Sequence, residues 1–519
     1  MSFPTLTNSA TSFNEFEPSV FEVRTLRSAT RPSRFALIAI VALLALNICS
    51  NCLLAQTPSV DAEARVEVTG VVTDADTGQW LPARIYLKDS DGESWFLESY
   101  DPSGSSIAYR EQWVPLAGSE DLHTTISAHP FRVMLPAGKY TLTVERGKEY
   151  LPLQKQFSVD DRRVDLQLSL QRWSHVAQDG WYSGETHVHR RIHELPNVML
   201  AEDLNVAFPV TFWTIHAGQP PGLEPSTLRR QGPSPHGPRV DRGYDPIFVD
   251  ETHVMFPRNT EYEIFQIGEK RHVLGAVFIL NHRSHFQEGM PPVKAIAEQA
   301  HREGALLDLD KHSWPWSMML VPVAKVDLYE LANNSLWRTR FGFRNSMVRP
   351  AEYMKVESEG NLLTEAGWID WGFQNYYALL NCGFPINPTA GTASGVHPVP
   401  LGFGRVYVHI DGKFNTDAWV AGLRNGRSFV TTGPMIQVKI DDRHAGHLFE
   451  SDEPKTLSLN GSVRSAKPLD HIDVIVNGRV ESLEVKSKPL PDGGHQVDLR
   501  HSIKVERTSW IAVRCSYED

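Results

Sequence analysis

The stretch W-Y-S-G-E-T-H-V-H-R-R-I-H-E, Trp181 to Glu194, holds three histidines within seven residues and a carboxylate directly after them. His187 and His189 stand two apart. On a strand that spacing turns both imidazoles to one face, where they can grip one ion or two adjacent ones. A bare H-x-H more often marks a solvated strand end than a ligand pair, so the stretch decides nothing alone. Other histidines fall at the ends of apolar runs. His216 follows V-T-F-W-T-I, His272 stands at the entrance of V-L-G-A-V-F-I-L-N, His282 and His285 lie at its exit, and His312 follows A-L-L-D-L-D-K. In α/β sheets and barrels, ligands collect beyond the carboxyl ends of strands, so this placement favours one shared site. Glu194, Glu261, Glu263, Asp310 and Glu330 lie close by in sequence and offer carboxylates. Asp310 beside Lys311 also fits a plain buried ion pair, and the tryptophans Trp314, Trp316, Trp368 and Trp371 fit either core or a pocket wall.

Other chemistries lack their residues. No G-x-S-x-G elbow, phosphate-binding P-loop or G-x-G-x-x-G fingerprint occurs. Of the four cysteines, Cys49 and Cys52 belong to an N-terminal apolar segment. Cys382 and Cys515 are too far apart in sequence to read as a disulfide framework and are expected as unpaired, mostly buried thiols. The net charge of -11 argues against nucleic acid as a partner, which needs clustered Lys and Arg. Metal-assisted hydrolysis of a small molecule is the chemistry left.

The elements that must position these residues read as follows. At 519 residues, two to four domains are expected. Arg24, Arg27, Arg31 and Arg34 precede the apolar run Phe35–Ile48, with small residues near Ala55. This is the pattern of a secretory signal peptide over residues 1–55, with a membrane anchor as the alternative. From Arg65, period-2 runs bracket a D-T-G turn, predicting an antiparallel strand pair, and F-R-V-M-L-P-A-G-K-Y-T-L-T-V-E-R-G and V-D-L-Q-L-S-L continue the pattern. Residues 64–170 are therefore expected to form an all-β sandwich. Between 171 and 434, helix-like V-K-A-I-A-E-Q-A-H-R-E-G alternates with short apolar runs of the kind that buried parallel strands show, which predicts an α/β layer or barrel. Residues 435–519 return to strands, with V-N-G-R-V as a two-residue hairpin signal, and predict a second sandwich.

The N-terminal pieces G-V-V-T-D-A-D-T-G-Q-W-L-P-A-R-I-Y-L and L-P-A-G-K-Y-T-L-T-V-E-R-G resemble a carboxypeptidase-regulatory-like module, which implies an accessory role. The middle resembles the CehA/McbA-type metallohydrolases of the PHP (polymerase and histidinol phosphatase) superfamily. The matching pieces are G-E-T-H-V-H, T-I-H, E-I-F-Q-I-G-E-K-R-H-V-L-G, D-K-H-S, L-Y-E-L-A-N, A-G-T-A-S-G-V and R-N-G-R-S-F-V-T-T-G-P. This resemblance implies a distorted (β/α)7 barrel flanked by the two sandwiches, with one or two ions of zinc, manganese or iron. It implies His187, His189, His216, Glu263, His272 and His312 as metal ligands, with His282 competing with His272. The chain departs from the family pattern in two places. T-I-H lacks a carboxylate, and Ala393 and Gly395 stand where an aspartate and a histidine would be. The expected activity is an exported hydrolase in which a divalent cation lowers the pKa of its bound water from ~15.7 toward ~7. The bond cut would be an ester, amide, carbamate or phosphoester. His193, Lys311 and Arg283 are the candidates for stabilising developing charge. The alternative is a secreted binding protein with a non-catalytic barrel, whose β modules contact glycan or cell-surface material.

Overall fold

The computed structural model describes residues 64–112, 119–223, 243–266, 275–335, 348–360 and 362–517. The expected signal segment and His272 lie outside the described residues. The protein is multidomain and rich in sheet, and none of its described helices is long and apolar enough to cross a membrane.

In the N-terminal region the strands expected on either side of D-T-G are present, Val66–Asp74 and Ala83–Asp89. They do not form the expected antiparallel pair. After a single bridge between Thr73 and Trp80 they diverge into separate sheets. Val66–Asp74 lies between Val164–Leu170 and Phe131–Leu135, while Ala83–Asp89 lies between Glu120–Ile126 and Gly138–Glu145. Both sheets contribute to one core that includes Val68, Ile85, Phe131, Leu142 and Leu168. Period-2 alternation reports that one face of a strand is buried, not which strand lies beside it.

The middle contains two mixed sheets. In one, Trp181–Val188 runs parallel to Val206–Pro209 and antiparallel to Arg405–His409. The other orders Phe212–His216, Asn259–Gln266, Ala276–Leu280, Leu306–Leu309, Leu328–Ala332 and Asn387–Ala390. The three apolar runs expected as buried parallel strands are all strands, but Ala276–Leu280 is antiparallel to both neighbours. A strand buried on both faces carries a continuous apolar run whatever the direction of its neighbours. The helix Lys294–Arg302 buries Ile296, Ala297 and Ala300, and Gly304 follows it at φ +78.

The strand Trp181–Val188 is buried at every residue and is tied to the second sheet near its end. Thr186 Oγ1 donates to the Ala390 carbonyl at 3.2 Å, and the Ala393 N–H donates to the His187 carbonyl at 2.9 Å. Next to it, the His189 N–H donates to the Ser394 carbonyl at 2.8 Å. Gly184 admits no side chain, because a Cβ there would meet the Trp419 ring at 2.3 Å.

The N-terminal region docks beside this strand. Tyr109 accepts from the Gly395 N–H at 2.9 Å and donates to the His397 carbonyl, while the Arg190 guanidinium lies 3.7 Å over its ring. Arg84 pairs with Glu145 and Glu202, and Arg146 reaches Asp203 at 3.0 Å. These contacts anchor the helix Leu195–Ala201 that follows the histidine stretch.

The C-terminal region adds a pair of further sheets, and V-N-G-R-V makes the expected hairpin, with Val476 opposite Arg479. Asn477 and Gly478 both adopt positive φ, 51 and 82, as a type I′ turn requires. Cys382 and Cys515 are both free, as expected, but Cys382 is exposed. It lies just past the end of the helix Glu365–Asn381 and not in a core.

Candidate metal centre

The site forms where the strand ends meet. His187 and His189, 1% and 3% exposed, project toward Glu261 on Asn259–Gln266, Asp310 just after Leu306–Leu309, and Glu330 on Leu328–Ala332. Close approach is enforced by glycine. A Cβ on Gly391 would lie 2.0 Å from Glu330 Oε1 and 2.2 Å from the His187 Cβ.

Two groups of ligand-type atoms converge here, His187–His189–Glu261 and His187–Asp310–Glu330. They use opposite nitrogens of His187, and a neutral imidazole has one donor and one lone pair. Nδ1 faces Glu330 Oε1 at 3.0 Å, and Nε2 faces His189 Nε2 at 3.2 Å. A carboxylate at Nδ1 accepts its proton and leaves the lone pair on Nε2, the arrangement by which carboxylates orient histidine ligands. The His189 Nε2 lies 3.3 Å from Glu261 Oε2. The first group is therefore the better ligand set, with Glu330 as its orienting partner. Asp310 Oδ2 stands 3.8 Å from His187 Nδ1.

Burial and the nearby Lys311 ammonium hold His187 well below its ordinary pKa, so it is a neutral ligand. Burial raises Glu261 to about 8, with Lys311 opposing and Asp310 reinforcing. Burial, then Asp310 and Asp308, push Glu330 well up. Glu263 rises through burial and the charge of Glu261. Among the described residues, four carboxylates, Glu261, Glu263, Asp310 and Glu330, thus share one ammonium, Lys311. Both oxygens of Glu261 and Oδ1 of Asp310 accept no hydrogen bond. Buried carboxylate oxygens left open beside two imidazoles fit a divalent first-row cation, and the N/O donor set suits zinc, manganese or iron.

The other residues singled out from the sequence fall in different places. Lys311 touches Asp310 and lies 3.6 Å from Glu263 Oε1. Glu263 sits at the edge of the group, and its Oε2 accepts from Trp213 Nε1 at 3.0 Å. His216 is half-buried at the end of its strand, outside both groups. His312 is packed against Trp368 and Trp371 with ring centroids 5.1 and 5.3 Å away, and burial lowers its pKa to about 4. His282 is held between Thr260 and the Ser284 carbonyl, both at 2.8 Å. His193 and Arg283 are exposed, and Arg283 extends over the Tyr244 ring. Glu261, Asp310 and Glu330 come into the site beyond the expected ligands. In the sequence the three appear only as carboxylates near the histidines, and the two-residue spacing adds that Glu261 shares a strand face with Glu263.

No protein-family profile and no curated protein matches this sequence. Among solved structures, one similar chain is a two-domain protein from Bacteroides vulgatus containing a predicted PHP-like metal-dependent phosphoesterase. The identity is 11% over 66% of this chain and 88% of that one, with a TM-score of 0.28. Two others overlap only a fraction of the chain. The shaft pilin SpaA of Lactobacillus rhamnosus GG is 23% identical over 20% of this chain and 47% of its own, with a TM-score of 0.14. The 5-hydroxyisourate hydrolase of Klebsiella pneumoniae is 17% identical over 21% of this chain and 99% of its own, with a TM-score of 0.13. At these values the likenesses assign neither a fold family nor an activity.

Proposed function

We propose that this chain is an exported, metal-dependent hydrolase of the PHP type, acting on an ester, amide, carbamate or phosphoester of a small molecule. The observation that carries the reading is the buried meeting of His187, His189 and Glu261, with open carboxylate oxygens and, among the described residues, a single ammonium beside them. In this reading the two middle sheets belong to a distorted barrel. The bonds from His187, His189 and Thr186 to Ala390–Ser394 support that wrap. The regions at 64–170 and 435–519 are flanking sandwiches suited to contact with glycan or cell-surface material.

His187, His189 and Glu261 hold the cation, and Glu330 keeps the His187 lone pair aimed at it. A divalent cation there supplies Lewis-acid activation of water and of the scissile oxygen. Lys311, with 14% of its side chain exposed, is the charged member nearest solvent and offers positive charge to an oxygen that becomes anionic during hydrolysis. Glu263, held by Trp213, flanks the same opening and can accept a proton from an attacking water.

The test is elemental analysis of the purified chain together with an ester, amide, carbamate and phosphoester panel. Stoichiometric transition metal with turnover of at least one class is expected, and both are lost in a His187→Ala/His189→Ala double variant. Absence of bound metal would sink the hydrolase. A second reading, a binding protein with a non-catalytic barrel, is favoured by one observation. Gly395 sits at φ +108 with its Cβ position 2.6 Å from the His189 carbonyl carbon, so that position can supply no ligand. Firmly bound metal with no turnover across the panel would select this second reading.

A further inference from the structure

We propose that the Lys311 ammonium is a built-in cation standing where a second metal ion would sit, so that the centre takes a single dication. This rests on the metal-dependent reading above and goes beyond it by setting the number of ions.

Glu261 is arranged as a carboxylate bridging two cations. Its Oε2 faces His189 Nε2 at 3.3 Å, and its Oε1 faces Lys311 Nζ at 3.9 Å. On the far side, Lys311 Nζ also touches Asp310 Oδ2 and lies 3.6 Å from Glu263 Oε1. Three carboxylates, two on Asn259–Gln266 and one just after Leu306–Leu309, therefore surround one ammonium, which is hydrogen-bonded to Asp310 and within ion-pair reach of Glu261 and Glu263. A dication bound by the same oxygens would stand against a fixed positive charge within a few ångströms, where poor screening makes like charges repel strongly. The ammonium does not swing free, because it sits in the group with only 14% of its side chain exposed.

The ligand inventory agrees. Ala393 is buried and carries no donor, and Gly395 has no room for a side chain. The imidazole nitrogens and the open Glu261 Oε2 lie on the His187–His189 side.

The experiment uses the full chain loaded with excess Mn(II) and then freed of unbound metal. Ion content is read by elemental analysis, and the state of the metal by electron paramagnetic resonance. The wild type is expected to hold one Mn(II) with an uncoupled spectrum. Lys311→Met is expected to hold two, with the signature of a spin-coupled pair, and Lys311→Arg, which keeps the cation, one. A coupled pair in the wild type overturns the proposal while leaving the hydrolase reading in place, as does a single ion in folded Lys311→Met. No Mn(II) in the wild type overturns both. Should Lys311→Met fail to fold, the wild-type ion count and spectrum decide.

Discussion

Two buried charge clusters flank the first histidine strand, and they are built on opposite plans. At the seam between the N-terminal region and the middle, Arg84 pairs with Glu145 and Glu202, and Arg146 pairs with Asp203. Arg172 reaches Glu149 and Asp203, each at 3.1 Å, while Arg405 donates to the carbonyls of Glu202 and Asp203. Every seam carboxylate has a guanidinium partner, and none of their oxygens is left open. In the candidate centre four carboxylates share one ammonium among the described residues, and three of their oxygens accept nothing. A buried charge costs several kcal/mol unless it is paired. The seam carboxylates therefore find their counter-charge within the protein, with only Nε of Arg84 and of Arg146 lacking an acceptor, whereas the carboxylates of the centre call for an added cation. The same residue types make a joint in one place and a receptor for an ion in the other.

The largest effect that would break this contrast is at the seam. Arg146→Ala takes one of its two guanidinium partners from buried Asp203 and removes donors to the Leu200 and Pro82 carbonyls. It should cost about 3–5 kcal/mol of unfolding free energy in urea. A cost near zero would mean that the seam is not self-contained. Acid should act in the same direction. Burial alone would raise Asp203, but Arg146 and Arg172 overrule it and hold its pKa at about 2. A carboxylate depressed below its unfolded value of ~3.9 stabilises fully above that value and loses its contribution as pH falls through the folded one. Stability should therefore drop by roughly 2–3 kcal/mol between about pH 5 and pH 2, and the drop should vanish in an Asp203→Asn variant.

The smaller predictions sharpen the contrast from the other side. Glu330→Gln keeps the shape but weakens the acceptor for His187 Nδ1–H, and should weaken metal affinity by about 10–100-fold in a chelator competition. An unchanged affinity would remove Glu330 from its orienting role. Glu263→Gln relieves like charge and can still accept from Trp213. In metal-free protein it should leave stability unchanged or raise it by about 1 kcal/mol, a melting shift of up to ~2–4 °C. Destabilisation on the scale of Arg146→Ala would erase the distinction between the two clusters.

Much of this organisation is legible in the sequence. The alternating runs at 66–74 and 131–145, the N-G hairpin at 477–478 and the helix ending at Gly304 all lie where local pattern places them. The partners of the strands were not legible, because pairing across D-T-G and through Ala276–Leu280 is settled by which sheet buries which face. In the centre, His187 and His189 were visible through their spacing. Glu261, Asp310 and Glu330 were visible only as neighbouring carboxylates, since three strands distant in sequence bring them together.

What the sequence determined by itself is local. Spacing of two puts His187 and His189 on one face, and glycine at 184, 391 and 395 permits approaches that any Cβ would block. Tertiary structure alone decided which carboxylates answer those histidines and that the one ammonium among them is Lys311. Period and turn chemistry act over a few residues, whereas charge balance in a buried site is a sum over every strand that reaches it.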